Sequence, residues 1–367
     1  MNVSRRRVLS LIGGGVVLAA AGGGYVATRT ATRAVEPWKL AGEYGEIRRN
    51  ALSWALLAPN PHNLQPWQAE LIGDDRVALS MDATRTLPHT DPFGRQITIG
   101  MGCFIELMRM AAAQAGYGVD LTVYPDGEDG GRVAIARFVP GAAAPDPLYA
   151  AVAERRSCKE PFEDRPVPAD AIAALREHGI VVTGADAVQA LRNLTWEAWV
   201  IEMETPRTWK ESIDLLRIGA RQVDASPDGI DLTGAFFNLG GTLGFITQEN
   251  QLPLDSMGAR MTADIYREVM ARTPAYVLQV SDGNTRRDQL EAGARWLRLN
   301  LATTALGLSL HPVSQALQEY PEMAGPYQRI HDLYATPGQT VQMLGRLGYG
   351  PKIPQTPRWR LEDKLVS

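Results

Sequence analysis

The sequence predicts an α+β fold made of two fused half-domains, each an antiparallel-rich sheet flanked by helices. Three observations predict it. Short β-rich runs come in pairs closed by tight turn sequences. Helical patterns lie between these pairs without forming a regular βαβ array. One long helical pattern occurs twice, about half the chain apart. The 367 residues suit two packed units better than one core, and 45% hydrophobic with 21% charged residues is an ordinary globular balance.

The strand pairs are local. Gln68–Ile72 and Val77–Met81 flank Gly-Asp-Asp, and Val119–Tyr124 and Arg132–Val139 flank Pro-Asp-Gly-Glu-Asp-Gly-Gly, both turn-forming stretches. Ala275–Val280 is a further β-rich run that stops at Ser-Asp-Gly-Asn. The repeated helix reads MGCFIELMRMAAAQAGYGV at 101–119 and AGARWLRLNLATTALGLSL at 292–310. Gly116 and Gly307 fall where a helix C′ glycine is expected, 191 residues apart. In the second copy the expected apolar face is Leu290, Ala294, Leu297, Leu301 and Ala305, with Gly293, Ala302 and Ala305 small enough for close helix approach. Two unrelated amphipathic helices are the alternative reading. A Pro/Ala-rich link from Gly141 to Pro147 separates the halves. Segment 196–260 carries Trp196, Trp199 and Trp209 in a helical, charged pattern, then a looser stretch from Pro227, with no strand signal. It reads as a helical excursion, and as a cover over a site.

The first residues stand apart from the fold. Arg5-Arg6-Arg7 precedes a Gly/Ala-rich apolar run from Val8 to Ala27, which resembles a twin-arginine export signal. An uncleaved signal anchor is the alternative, because the run is long enough to cross a bilayer. Domain limits follow as signal 1–34, first half 35–145 and second half 146–367. That export route moves folded proteins and raises the expectation of a bound cofactor. The net charge of −4 gives no electrostatic footprint for nucleic acid. Two cysteines, Cys103 and Cys158, make no disulfide framework, and no Cys/His metal spacing occurs.

Three motifs carry candidate chemistry. Pro59-Asn60-Pro61-His62-Asn63-Leu64-Gln65-Pro66-Trp67 ends a helix that starts near Glu46, and its prolines stiffen a loop presenting Asn60, His62, Asn63 and Gln65. Asp146 as N-cap and Pro147 as N1 start a short helix that ends at Arg155-Arg156-Ser157-Cys158-Lys159, where three cations and a hydroxyl make a phosphate cradle. A further helix runs from Val167-Pro168 to Gly179. Leu344-Gly345-Arg346-Leu347-Gly348-Tyr349-Gly350 leads into a proline-punctuated tail and Arg358-Trp359-Arg360, an extended route that fixes where the arginines reach. Taken singly, each also reads as a polar surface turn or tail.

Together, and in this order, the motifs resemble the signatures of the FMN-dependent nitroreductase family. That family has an Arg-x-Ser-x-Arg/Lys loop, an Asn-x-Gln-Pro-Trp loop, a Gly-Leu-Gly turn after its long central helix, and a Leu-Gly-Tyr strand with an arginine-bearing tail. The most specific match is Asn63-Leu64-Gln65-Pro66-Trp67. An ordinary member carries the first two loops close together. Here Asn63–Trp67 lies only in the first half and Arg155–Lys159 only in the second. Family members are usually homodimers with FMN at the subunit interface. The pattern therefore resembles the Acg-type branch and implies a nitroreductase-like pseudo-dimer with one surviving FMN site.

The resemblance implies that Arg155, Ser157, Lys159 and Arg358 hold the FMN phosphate and ribityl chain, with Arg156 contributing by its backbone. Lys159 has an alternative place at the polar edge of the ring, and Arg360 is the alternative to Arg358. Asn60, Asn63 and Gln65 would come from the other half, and Leu308 would place backbone groups near the ring. No side chain is expected to be catalytic, since the flavin carries the chemistry. Cys158, His62 and His311 are expected to be packing residues. The implied function is an exported, periplasmic oxidoreductase, monomeric because the fused halves replace the family's dimer, acting on a nitro compound or quinone. A non-enzymatic FMN-sequestering protein is the alternative. Its partners would be a small molecule and the twin-arginine export machinery, not nucleic acid.

Overall fold

The computed structural model describes residues 26–141 and 143–366, so the twin-arginine motif lies outside the described residues. In the first half, α1 (Ile47–Ala55) precedes the polar loop, then come β1 (Trp67–Ile72), β2 (Arg76–Met81), α2 (Arg95–Gln114), β3 (Tyr117–Val123) and β4 (Arg132–Pro140). The second half runs through α3 (Ala169–Leu175), β5 (Ile180–Val182), α4 (Ala185–Glu204), α5 (Pro206–Asp214), β6 (Leu216–Ile218), β7 (Ile230–Leu232), α6 (Ala235–Thr242), α7 (Met257–Ala271), β8 (Ala275–Ser281), α8 (Arg286–Ala305), β9 (Ser309–Pro312) and β10 (Thr340–Gly348). β11 (Leu365–Val366) follows the tail. The α+β class is as the hairpin signals predict.

The two larger sheets share one plan. In the first, β1-β2-β4-β3 are antiparallel neighbours in that order, and α2 sits between β2 and β3 in the chain. In the second, β5-β8-β10-β9 are antiparallel neighbours, and α8 sits between β8 and β9. β11 crosses from the second half to the free edge of β1 and pairs with it in parallel, Ala69 opposite Leu365.

The repeated helices form the centre. α2 and α8 begin at Arg95 and Arg286, the same 191-residue offset as Gly116 and Gly307, which both close their helices with left-handed backbones at φ 80° and 69°. They run side by side in one direction: Arg286 donates to the Phe93 carbonyl at 2.8 Å near their starts, and Arg298 meets Glu106 at 2.7 Å further along. Between these contacts a Cβ on Gly102 would lie 2.1 Å from the Leu290 oxygen, and one on Gly293 would lie 2.0 Å from the Ile99 oxygen. These glycines, again 191 residues apart, let the backbones touch. Both helices are therefore buried on most of their girth. The single apolar stripe expected for α8 is too narrow a description. Ala305 is exposed at its end, whereas Trp296, Leu299 and Asn300 are buried.

Other differences have physical reasons. Both long helices start six residues before the periodic patterns read from sequence, because Arg95 and Arg286 are held by side-chain contacts rather than by an apolar face. The segment after Asp146 is a 3-10 turn, Pro147–Ala151, capped by the Asp146 carboxylate on Leu148 N. The helix after Pro168 stops at Leu175, since the chain must turn into β5. Segment 196–260 does contain strands: β6 and β7 pair in parallel as a small separate sheet.

Glu202, near the end of α4, is buried and accepts from Gln318 at 2.8 Å and Ser212 at 3.4 Å. Burial pushes its carboxyl up to about 7. The folded state therefore holds this proton more tightly than the unfolded chain, so the stability it confers is complete at low pH and is lost as pH rises towards 7. Glu202→Gln should raise the melting temperature at pH 8 and leave it nearly unchanged at pH 5. A gain of equal size at both pH values would contradict this assignment.

Candidate active site

The polar loop between α1 and β1 is held in an unusual backbone. His62, Asn63 and Gln65 all take positive φ values, 47°, 54° and 51°. Non-glycine residues there cost about 1 kcal/mol or more each, so the surroundings must over-determine them. Pro61 and Pro66 restrict the alternatives, and the Asn60 carboxamide oxygen accepts from Gln65 N at 2.8 Å. Gly100 of α2 gives the loop its seat: a Cβ there would press on Asn60 and Pro61 at 3.2 Å. Gln65 is fully buried. Its amide nitrogen donates to Pro227 O at 2.7 Å and its amide oxygen accepts from Trp359 N at 2.9 Å. Gln65 and Asn60 are thus spent on the loop itself, as positioning residues.

Asn63 points elsewhere. Its carboxamide oxygen accepts from Arg358 at 2.7 Å, and its nitrogen donates to Pro357 O at 3.1 Å. Arg358 also donates to the Leu57 and Ala58 carbonyls, at 3.3 and 3.2 Å. Arg155 reaches the same Leu57 carbonyl at 2.9 Å. Arg156 bends back onto Ala153 O and its own neighbour's carbonyl, and its guanidinium lies 4.4 Å over the Trp38 ring. The Arg358 guanidinium lies 5.9 Å from the centroid of the same ring. Residues from three stretches of chain therefore converge at the C-terminal end of α1, as the motifs predict.

The electrostatics of this cluster are unbalanced. Arg155 and Arg358 are each 3% exposed, and no carboxylate pairs with Arg155, Arg156 or Arg358 among the described residues. Burial, then mutual repulsion, lowers Arg155 to about 10 and Arg358 to about 9. Arg155 Nη1, Arg156 Nε and Arg358 Nε are buried donors without a protein partner. Buried cations with unused donors are costly unless an anion completes them. A phosphate, with several acceptor oxygens on one tetrahedral centre, suits the planar forked donors of guanidinium groups.

The remaining predicted residues lie elsewhere. Lys159 is exposed and its charge acts on His62 and His311 rather than on the arginines. His311 is buried and His62 half-buried, and both are pushed down, His62 to about 4, first by desolvation and then by Lys159 for His62, and by Arg346 and Lys159 for His311. His62 Nδ1 has no partner, and His311 Nδ1 lies 2.9 Å from Arg346. Ser157 bridges to Leu310 through the backbone, next to a bond from Cys158 N to Leu310 O. Cys158 is buried and burial raises its thiol. Leu308 packs into the core, and its N–H closes α8 on Thr303 O. Arg360 pairs with Glu36 on the surface and not with the arginine cluster.

Sequence reading missed Trp38 as the platform under Arg156, and nothing around Pro37-Trp38 marks it. It also missed Asp228. That buried carboxylate takes Arg85 at 2.5 Å, Arg217 at 2.7 Å and the Trp359 indole at 3.2 Å, and these cations hold it at about 2. Asp228 pins the stretch after β6 onto both the polar loop and the tail.

No family model matches the chain. A Mycobacterium tuberculosis protein bearing a provisional NAD(P)H nitroreductase name is 24% identical over 340 residues, 87% of this chain and 90% of its own. Acg of the same organism, with a name of the same kind, is 34% identical over 95 residues, 26% of this chain and 28% of its own. A solved structure from Anabaena variabilis, provisionally titled a nitroreductase, aligns over 87% of this chain and 91% of its own at 12% identity, with a TM-score of 0.47.

Proposed function

We propose that this nitroreductase-like chain is an FMN-dependent oxidoreductase that reduces a small electrophile such as a nitro compound or quinone. The observation that carries this reading is the buried arginine cluster. Arg155 from the second half and Arg358 from the tail meet on one carbonyl of the first half, with unused donors and no carboxylate partner among the described residues. The relative matched along most of the chain bears an NAD(P)H nitroreductase name, which supports the same class.

The residues present fit FMN. Arg155, Arg156 and Arg358 would hold its phosphate, with Asn63 fixing the Arg358 fork. Lys159 supplies a positive charge suited to the polar edge of a reduced ring, and neutral His62 keeps a free ring nitrogen. When bound, FMN supplies hydride and single-electron transfer. The chain's own part is to bind and orient it, and to exclude water with the Trp38 side and the Pro227–Gly229 stretch. We read the halves as a fused dimer, on the shared sheet order and the repeated 191-residue offset. We further read the chain as exported through a twin-arginine signal and monomeric, on the motif at residues 5–7 and the internal pairing of the halves.

A second reading, a protein that sequesters FMN without turnover, is favoured by one feature. Gly229 N reaches Asn63 O at 3.3 Å and Gln65 reaches Pro227 O, so the second half covers the polar loop. The test is the flavin-to-protein ratio of the purified monomer, then turnover of a quinone with NADPH and with dithionite as donor. One FMN per chain with turnover is expected. Two FMN per chain, or none after FMN is supplied, would defeat the shared-site model. One FMN with turnover from neither donor would select sequestration.

A further inference from the structure

The surface of the 235–265 region is anomalous. Large apolar side chains are exposed there in succession: Phe236, Leu243 at 63%, Phe245 at 74%, Leu254, Met257 at 66%, Met261 and Ile265. Met257, Met261 and Ile265 are spaced four residues apart along α7, so they form one stripe. The other side of α7 is occupied: Val269 and Met270 are buried, and Tyr266 stacks on Trp199 of α4 at 4.9 Å. α6 behaves likewise, with Asn238 buried and Phe236 exposed. Exposed apolar side chains in such number on one segment of a globular protein mark a contact with something apolar.

What lies beside it is fixed by Asn238. Its side-chain nitrogen donates to Ala27 O at 3.2 Å and to Arg29 O at 2.8 Å, so the chain enters the fold against α6. The stretch before this point, Val8 to Ala27, contains no Asp, Glu, Lys or Arg, and at 20 residues it matches the length needed to cross a bilayer. A few residues of chain reach only about 10 Å, so α6 must sit close to wherever that run leaves an apolar phase.

We propose that the Val8–Ala27 run stays uncleaved as a membrane anchor, and that the exposed apolar side chains of α6, of the loop at Phe245 and of the Met257–Met261–Ile265 stripe of α7 lie on the same bilayer, dipping into the acyl boundary. Two phenylalanines with Leu, Met and Ile beside them are the side chains that partition there. Arg33 and Arg260, both exposed and next to these segments in the chain, are placed to meet anionic headgroups, whereas Arg29 pairs with Asp224. The proposal is independent of the cofactor. It makes the excursion between β7 and β8 a membrane-facing plate, which orients the whole molecule on one leaflet.

The native thiols allow a clean test, because Cys103 and Cys158 are both buried. Phe245→Cys, Met261→Cys and, as a reference, Leu306→Cys at the end of α8 would each be labelled with an environment-sensitive fluorophore in the full chain. Each would then be reconstituted into phosphatidylcholine–phosphatidylglycerol vesicles with or without a lipid carrying a spin-label quencher high on its acyl chain. Labels at positions 245 and 261 should shift to the blue and lose more than half their emission to the quencher, while the label at 306 does neither. Any of three results overturns the proposal: labels at 245 and 261 that stay as wet as that at 306; shielding that depends on protein concentration rather than lipid, which would mean a second copy; or shielding without lipid in the monomer, which would mean the chain's own apolar run.

Discussion

Arg155→Met should weaken FMN binding about ten- to a hundredfold, while the flavin-free protein should melt at or above the wild-type temperature. The two effects have one cause. In the flavin-free state Arg155 has a single protein acceptor, the Leu57 carbonyl, a donor with no partner, and two other guanidiniums nearby. Replacing an uncompensated buried cation by an apolar side chain of similar length removes a desolvation cost at least as large as the hydrogen bond lost. With phosphate present, the same replacement deletes a charge-assisted contact worth roughly 1.5–3 kcal/mol. Arg358→Met should weaken binding similarly, but with a less favourable melting shift, because Arg358 also holds Asn63, Leu57 and Ala58. Asn63→Ala acts through Arg358 and the neighbouring Pro357 carbonyl and should cost about 1 kcal/mol of affinity. Flavin titration with thermal melts of the same samples decides the matter. Parallel loss of affinity and of flavin-free stability in Arg155→Met would mean that the cluster is structural.

The largest stability effect is expected at the helix crossing. Gly293→Ala places a methyl 2.0 Å from Ile99 O and 2.8 Å from the Gly102 Cα, and Gly102→Ala places one 2.1 Å from Leu290 O. The obstructing atoms are backbone within rigid helices, so neither can turn aside. The two helices must part, and every contact along them loosens together. The cost should reach the upper end of overpacking, about 3 kcal/mol for each, read as a melting temperature lower by several degrees. The double variant should cost less than the sum, because the first separation makes room for the second methyl. Gly325→Ala, where the added methyl meets nothing within 4 Å, serves as the control. Melting of Gly293→Ala at the wild-type temperature would remove the close approach from the account.

Much of this was legible in the chain because it is local. Gly-Asp-Asp and Pro-Asp-Gly-Glu-Asp-Gly-Gly close hairpins within a few residues, and Gly116 and Gly307 mark helix ends by their own backbone requirement. β5, β6 and β7 were not legible, since three residues are too few to show alternation. At the site, the family resemblance, not residue types alone, pointed to Asn63, Arg155 and Arg358. It could not separate an amide aimed outward, Asn63, from one consumed by its own loop, Gln65. That distinction depends on Pro227 and Trp359, which come from distant parts of the chain. Lys159 shows the same limit: adjacent to the arginines in sequence, it faces the histidines in space.

The crossing of the tail to the first sheet has a consequence for biosynthesis. Asn63 waits for Arg358, 295 residues later, and β1 leaves the ribosome long before β11 can cover its edge. The first half is thus born with an open strand, which is a template for wrong pairing. Its cofactor cradle cannot close until almost three hundred further residues have been made. On the proposed function, cofactor loading is therefore a late event, coupled to completion of the fold. A nascent chain arrested between Trp67 and Arg358 would carry the polar loop without the arginine that Asn63 holds, and its β1 edge would stand uncovered.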